Sequence, residues 1–147
     1  MNRERSLAIV NDLSPGTLME TLGIRYTDAG DGFLEATMPV DARHHQPMGI
    51  LHGGATAALA ESVASAASGL ALAGTGRRAV GLDLGINHIR SVTGGSITAR
   101  AEAVHLGRST HLWHIRITDE RGRRIAQAKL TMMVLDSGAE TARPGRR

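Results

Sequence analysis

The sequence predicts an α+β fold, with one antiparallel sheet wrapped around one long central helix. Three observations predict it. The chain has 147 residues, enough for one domain with a core of its own and too few for two. Its strand-like runs come in two blocks, two before and four after a single long helical segment. That segment starts at Gly53, is rich in Ala, and carries one charge, Glu61, before Arg77. A helix apolar nearly all round must be covered on more than one side, which a curved sheet does, helped by a partner subunit.

The elements follow in order. Residues 1–13 form a short helix or arm, ahead of a single domain at 14–136. "SPGTLMETLG" carries a helix start and stop: Ser14 as N-cap, Pro15 in the first turn, Gly23 past the end. "IRYTDAGDGFLEATMPV" holds two strand-like runs flanking turn residues Asp28–Gly32, a hairpin. "DARHHQPMGILHGG" has no clear period and reads as a loop. The Ala-rich helix then runs for about five turns and ends at "AGTGRR". Four strands are expected after it, at Ala79–Ile89, Ser96–Leu106, Ser109–Thr118 and Arg124–Leu135. Their separators, "RSVTGG", "HLGRS" and "DERGR", all have hairpin chemistry. Residues 137–147 read as a disordered basic tail.

Composition removes several classes of function. With 41% hydrophobic residues the chain folds, and with only Tyr26, Phe33 and Trp113 as aromatics its core is aliphatic. No Cys is present, so disulfides, thiolate metal sites and a Cys nucleophile are excluded, which fits a cytoplasmic protein. The net charge of +3 comes partly from "TARPGRR" and suits a small polyanion such as a nucleotide. The basic residues are scattered and lack stacking aromatics, which argues against nucleic acid. The N-terminal apolar run of four residues is too short for a signal peptide. Glu61 in the middle of the Ala-rich segment argues against a membrane span. The seven His give no HExxH, and His111 and His114 point to opposite faces of a strand, so no metal is expected. A Ser-His-Asp hydrolase lacks its GxSxG elbow.

Glu61 is the first candidate for chemistry. A carboxylate on so apolar a helix is either paired with an Arg or His, or functional. Ser65 lies one turn on, on the same face. The helix begins at Gly53-Gly54, where free N–H groups either polarise a carbonyl oxygen or simply make a tight turn. His52 and Gln46 flank that end and are placed to orient a substrate or a water, unless they are only solvated. Gly53 and Glu61 are eight residues apart, about 12 Å along the helix axis. One carbonyl cannot meet both in the same chain, so a two-fold dimer with two shared sites is expected. Arg90, Arg108, Ser109 and Thr110, at strand ends, are donors suited to phosphates if they are more than a solvated rim.

Together these residues resemble the hotdog-fold acyl-CoA thioesterases, in the branch with a Glu on the central helix. That branch includes one class of 4-hydroxybenzoyl-CoA thioesterase, the 1,4-dihydroxy-2-naphthoyl-CoA thioesterase and the enterobactin-proofreading thioesterase. The stretches that carry the resemblance are "QPMGILHGGATAALAES", "VGLDLGINHIRS", "HLGRSTHLWHIRITDERGR" and "LTMMVL", within about Leu22 to Leu135. The resemblance implies a hotdog dimer, usually assembled into a homotetramer, that hydrolyses an aromatic or other small acyl-CoA. Glu61 would be nucleophile or general base, and the Gly53 N–H would polarise the thioester carbonyl. Gln46 and His52 would support that end, and Ser65 would help place the hydrolytic water. His88 would line the acyl pocket. Arg90, Ser91, His105, Arg108 and Ser109 would meet the phosphates or pantetheine arm of CoA. No metal or redox cofactor is implied. Met48 stands where these relatives often carry Phe, so the acyl pocket differs in size. Two rival functions remain: an acyl-thioester dehydratase or hydratase using His52 with Glu61, and a non-catalytic acyl-CoA-binding module.

Overall fold

In the computed structural model, which describes residues 2–136, six strands form one antiparallel sheet around a 19-residue helix. The basic tail at 137–147 lies outside the described residues. Helix α1 (Arg3–Asp12) is capped by Asn2, whose side chain accepts from the Arg5 N–H. It is docked on the body rather than free. The Asn11 carboxamide donates to the Tyr26 carbonyl and accepts from the Tyr26 N–H, both at 3.0 Å, and Val10 joins the core.

Helix α2 (Leu18–Leu22) starts later than a Ser14 cap implies. Thr17 caps it, accepting from the Met19 N–H, while the Ser14 hydroxyl donates back to the Val10 carbonyl and closes α1 instead. Gly23 ends α2 in the left-handed region, as expected. Strands β1 (Arg25–Gly30) and β2 (Phe33–Pro39) make the expected hairpin with a tighter turn. Gly30 pairs with Phe33, leaving only Asp31-Gly32 between the strands. The following loop contains one 3-10 turn at Ala42–His44 and leads into α3 (Gly53–Ala71).

Strands β3 (Arg77–His88), β4 (Ser96–Leu106), β5 (Thr110–Asp119) and β6 (Arg124–Asp136) follow. The sheet order is β1-β2-β4-β5-β6-β3. The β4–β5 and β5–β6 connections are hairpins, but "RSVTGG" is not. Both edges of β4 are taken, by β2 and β5, so β3 pairs with β6 and ends the sheet. The crossing segment is tied down by backbone bonds: Leu51 N–H donates to the Val92 carbonyl and Val40 N–H to the Gly95 carbonyl, each at 2.8 Å. Among the described residues no helix is long and apolar enough to cross a membrane.

The concave face of the sheet holds Leu34, Ala36 and Met38 from β2, Ala99 and Ala101 from β4, and Ile115 and Ile117 from β5. They pack on Leu59, Ala60, Val63, Ala64 and Ala67 of α3. Ala on both sides lets the sheet close tightly round the helix. The exception to an aliphatic core is Trp113, 1% exposed, whose indole N–H donates to the Ser68 hydroxyl at 2.7 Å. The same hydroxyl lies 3.0 Å from His111 Nδ1, and both groups are buried. Ser68→Ala therefore leaves the Trp113 donor unsatisfied and is expected to cost about 1–3 kcal/mol. The check is a urea titration in which the midpoint falls and the slope stays unchanged. Burial holds His111 below the usual histidine range, with the nearby His105 and Arg77 adding to the effect. The unfolded chain thus binds this proton more readily than the folded one. Its contribution to stability is present above about pH 6.5 and is lost as pH falls below that value.

Candidate active site

The start of α3 is built by its own N-cap. His52 turns its ring back so that Nδ1 accepts from the Gly54 N–H at 2.7 Å. A side chain at position 54 would collide with that ring, since a Cβ there would stand 2.9 Å from it. With Gly54 occupied, the Gly53 N–H has no acceptor among the described residues. Gly53 lies on the wall of a cleft of about 330 Å³, together with Gln46, Thr56, His88, Arg90 and Ser91. Ile50, Leu51 and Ile125 make its apolar side. The His88 ring packs on Gly53, where a Cβ would be 2.9 Å from Nε2. A helix N-terminus with one open N–H, in a half-apolar cleft, can hold a polarised carbonyl oxygen.

The loop that frames the cleft is rigid for local reasons. His44 is buried between the Leu22 carbonyl, 2.7 Å from Nε2, and the Asp41 N–H. His45 Nε2 meets the Thr93 carbonyl at 2.9 Å, so the two adjacent His diverge. The Gln46 side chain accepts from the Met48 N–H and closes the turn that Gly49 completes at positive φ. Met48 is not among the residues that line the cleft and is 79% exposed.

Glu61 lies two turns further along α3, outside that cleft. Its carboxylate rests on the backbone of β3 at Gly81, where a Cβ would stand 2.2 Å from Oε1. Only glycine leaves room for the acid here, and the β3–β6 register slips at the same point, between Gly81 and Asp83. Glu61 is half-buried rather than enclosed, and has no hydrogen bond or ion pair among the described residues. The ion-pair reading of this residue therefore has no support among the described residues. Burial raises its pKa above the ordinary carboxylate value. Ser65 is half-buried one turn on. Ser62, between them, is used structurally: its hydroxyl donates to the Ala58 carbonyl at 2.6 Å.

The β4–β5 corner is not part of this cleft. Arg108 and Ser109 spend their backbone carbonyls on Arg77 and on the Val134 N–H, and His105 packs against Gly107. Arg77 starts β3 and His88 ends it, so the corner is about 36 Å from the cleft along the strand. One chain therefore brings together Gly53, Gln46, His52, His88, Arg90 and Ser91, and leaves Glu61 with Ser65, and His105 with Arg108 and Ser109, in two further places. Among the described residues no three His, Asp or Glu gather as a metal site would need. Gly81 was missed in the sequence, although a glycine between Val80 and Leu82 inside a strand-like run was its signal. Ser68 and Thr56, both buried, were also missed.

A single helix held in a six-stranded antiparallel sheet, with an open N–H at its start and an unpaired carboxylate on its flank, defines the hotdog class of enzymes. A thioesterase of known structure from Haemophilus influenzae superposes with a TM-score of 0.87 at 40% identity, covering 93% of this chain and 94% of its own. A mutant thioesterase from Pseudomonas aeruginosa gives 0.85 at 43% identity, covering 88% and 93%. The proofreading thioesterase EntH of Cronobacter turicensis is 47% identical over 133 residues, 90% of this chain and 96% of that protein. The 1,4-dihydroxy-2-naphthoyl-CoA hydrolase of Escherichia coli K12 is 41% identical over 133 residues, 90% of this chain and 97% of that protein. Residues 48–126 match the Thioesterase superfamily. The chain belongs to that family and is a thioester hydrolase.

Proposed function

We propose that the protein hydrolyses the thioester of an aromatic or other small acyl-CoA to free acid and CoA, with Glu61 as nucleophile or general base. The observation that carries this reading is the Glu61 carboxylate, which burial makes more basic, which nothing among the described residues pairs, and which is seated against a glycine. As nucleophile it would attack the thioester carbon and expel the thiolate, and water would then cleave the acyl anhydride. As base it would take the proton of an attacking water placed by Ser65. In either case negative charge grows on the carbonyl oxygen, and the open Gly53 N–H is the donor suited to it. His88 would border the acyl group, and Arg90 and Ser91 would meet CoA, with His105, Arg108 and Ser109 contributed from a second chain. Two of the relatives are named for aryl-CoA hydrolysis and thioester proofreading, which supports an acyl-CoA substrate.

The second chain follows from the same geometry. Gly53 and Glu61 are separated by about 12 Å of helix. Among the described residues β3 is the long strand that ends the sheet, and Val80 and Leu82 on it are 43% and 54% exposed. Such an edge invites pairing with a copy of itself. Antiparallel pairing about a two-fold axis would bring the Glu61 flank of one protomer toward the Gly53 end of its partner, and the Arg108 corner toward the Arg90 end.

Thiol release from a panel of acyl-CoAs tests the activity, and the chain, having no Cys, adds no background. Mixing two inactive variants tests the sharing. Gly53→Val forces the His88 ring away, and Glu61→Gln removes the acid. Co-refolded together, they form heterodimers with one intact site each, and about a quarter of wild-type activity returns. No recovery, with heterodimers shown by native mass spectrometry, would place both groups in one chain's site.

A further inference from the structure

We infer that the Thr56 hydroxyl reads an oxygen carried by the acyl group, so that small acyl-CoAs with a hydroxyl or keto oxygen on the third carbon, counting the thioester carbon as the first, are preferred over their plain counterparts. This rests on the Gly53 N–H holding the thioester carbonyl, and extends that reading to the substrate class. The cleft that Gly53 borders has a rim and a floor. At the rim Arg90 and Ser91 are exposed, as is Ile89. At the floor Thr56 and Ile125 are 2% exposed and Ala126 is fully buried. The charged phosphates of CoA belong at the rim, where they keep water and meet Arg90, because burying them would be costly. The acyl group then points to the floor. Of the three buried residues there, only Thr56 has a polar side chain.

That hydroxyl is the second observation. A Ser or Thr inside a helix commonly turns its hydroxyl back onto the carbonyl four residues earlier. Ser62 does so on this helix, donating to Ala58 at 2.6 Å. Thr56 does not: the His52 carbonyl accepts from the backbone N–H groups of Ala55 and Thr56, and the Thr56 hydroxyl has no partner among the described residues. Nor is it sealed in, since no enclosed side-chain oxygen or nitrogen among the described residues lacks a partner. The hydroxyl therefore opens onto the cleft that Thr56 lines. A polar group this deep in an apolar floor is costly unless something bonds to it. Gly53 and Thr56 are three residues apart, so they share one face of α3 and are about 4.5 Å apart along it. A carbonyl oxygen on the Gly53 N–H leaves the hydroxyl about one turn deeper. An extended chain advances about 1.2 Å per bond, so an oxygen on the third carbon comes within about 2.8 Å of the hydroxyl. An oxygen at the far end of a benzoyl ring passes it.

The test uses the whole protein and matched pairs of substrates: 3-hydroxybutyryl-CoA against butyryl-CoA, and 2-hydroxybenzoyl-CoA against benzoyl-CoA. The readout is the ratio of kcat/KM within each pair, which a purely structural role for Thr56 would not move. The wild type is expected to favour the hydroxylated member by about 5- to 150-fold, the range for leaving one buried polar group unpaired. Thr56→Val keeps the shape and removes the hydroxyl, and should bring both ratios to about one. Thr56→Ser keeps the hydroxyl and should hold them near wild type. 4-Hydroxybenzoyl-CoA against benzoyl-CoA should give a ratio that Thr56→Val leaves unchanged. Because the hydroxyl makes no bond among the described residues, Thr56→Val should not lower Tm. Wild-type ratios near one, or ratios that Thr56→Val does not move, overturn the inference while leaving Glu61-dependent hydrolysis standing. A Thr56→Val protein whose Tm falls while the ratios hold assigns the hydroxyl to the fold and also overturns it. Thiol release from no acyl-CoA at all overturns the proposed activity itself. Calorimetric affinities for the same pairs, measured on Glu61→Gln with and without Thr56→Val, then decide the role of Thr56 separately.

Discussion

Replacing Glu61 by Gln is expected to abolish thiol release, to less than about one part in 10³ of wild type, while the protein stays folded. The size of the effect follows from the position. Nothing else carboxylic lies on α3, and the neighbouring Ser65 cannot supply a base of its own. The change is also expected to stabilise the protein at neutral pH. Burial raises the folded pKa of Glu61, so the folded chain holds this proton more tightly than the unfolded one. That contribution is complete below the ordinary glutamate value of about 4.3 and is lost as pH rises through the folded pKa. At pH 7 the ionised acid is held in a site that disfavours it, as catalytic groups often are. Glu61→Gln removes the charge, so its Tm should exceed that of wild type at pH 7 and the gain should shrink in acid. The acid limb of kcat/KM for the wild type should lie above the ordinary carboxylate range. A Glu61→Gln enzyme with substantial turnover would end the assignment.

The second large effect is expected from a residue that carries no functional group. A methyl at position 81 would lie 2.2 Å from Glu61 Oε1, so Gly81→Ala must push the carboxylate off its seat. An attacking group moved by about 1 Å loses about 10²-fold in rate, and a drop of that order in kcat/KM is the expected result. The strand itself should survive, because Gly81 has no positive φ for alanine to strain. Unchanged circular dichroism and a Tm near wild type would separate displacement from misfolding. Glu61→Asp in the Gly81→Ala background withdraws the acid by one methylene and should recover part of the loss. Full activity of the single variant would mean that the contact with Gly81 has no part in placing the acid.

The parts of this structure that were legible in the sequence are those written in local chemistry. β4 begins and ends where expected, Ser96 to Leu106, because Gly94-Gly95 and Gly107 mark both ends. α3 was recognisable from its composition and from the glycines at its start. The errors arose where two segments compete for one role. Ser14 and Thr17 can each cap a helix, and only the approach of α1 decides that Ser14 serves the helix behind it. "RSVTGG" has the residues of a turn, but turn residues do not say which strand comes alongside, and here β5 and β2 had already filled both edges of β4. The site divides in the same way. Gly53, His52 and Glu61 stand out within one short stretch, whereas the seat of Glu61 on Gly81 joins residues 20 apart. Ser65 and Ser68 differ by less than one turn of helix, yet one faces Glu61's flank and the other is sealed against Trp113. Composition cannot tell those faces apart until the sheet has chosen a side.

Trp113 is the one tryptophan in the chain, and its indole is sealed under α3 with its N–H held by Ser68. Intrinsic emission excited at long wavelength therefore comes from a single, dry chromophore with a fixed partner. Its colour reports whether the sheet is closed on the helix. A denaturation curve recorded this way is a one-residue reading of the core, and a bound ligand enters it by shifting the transition.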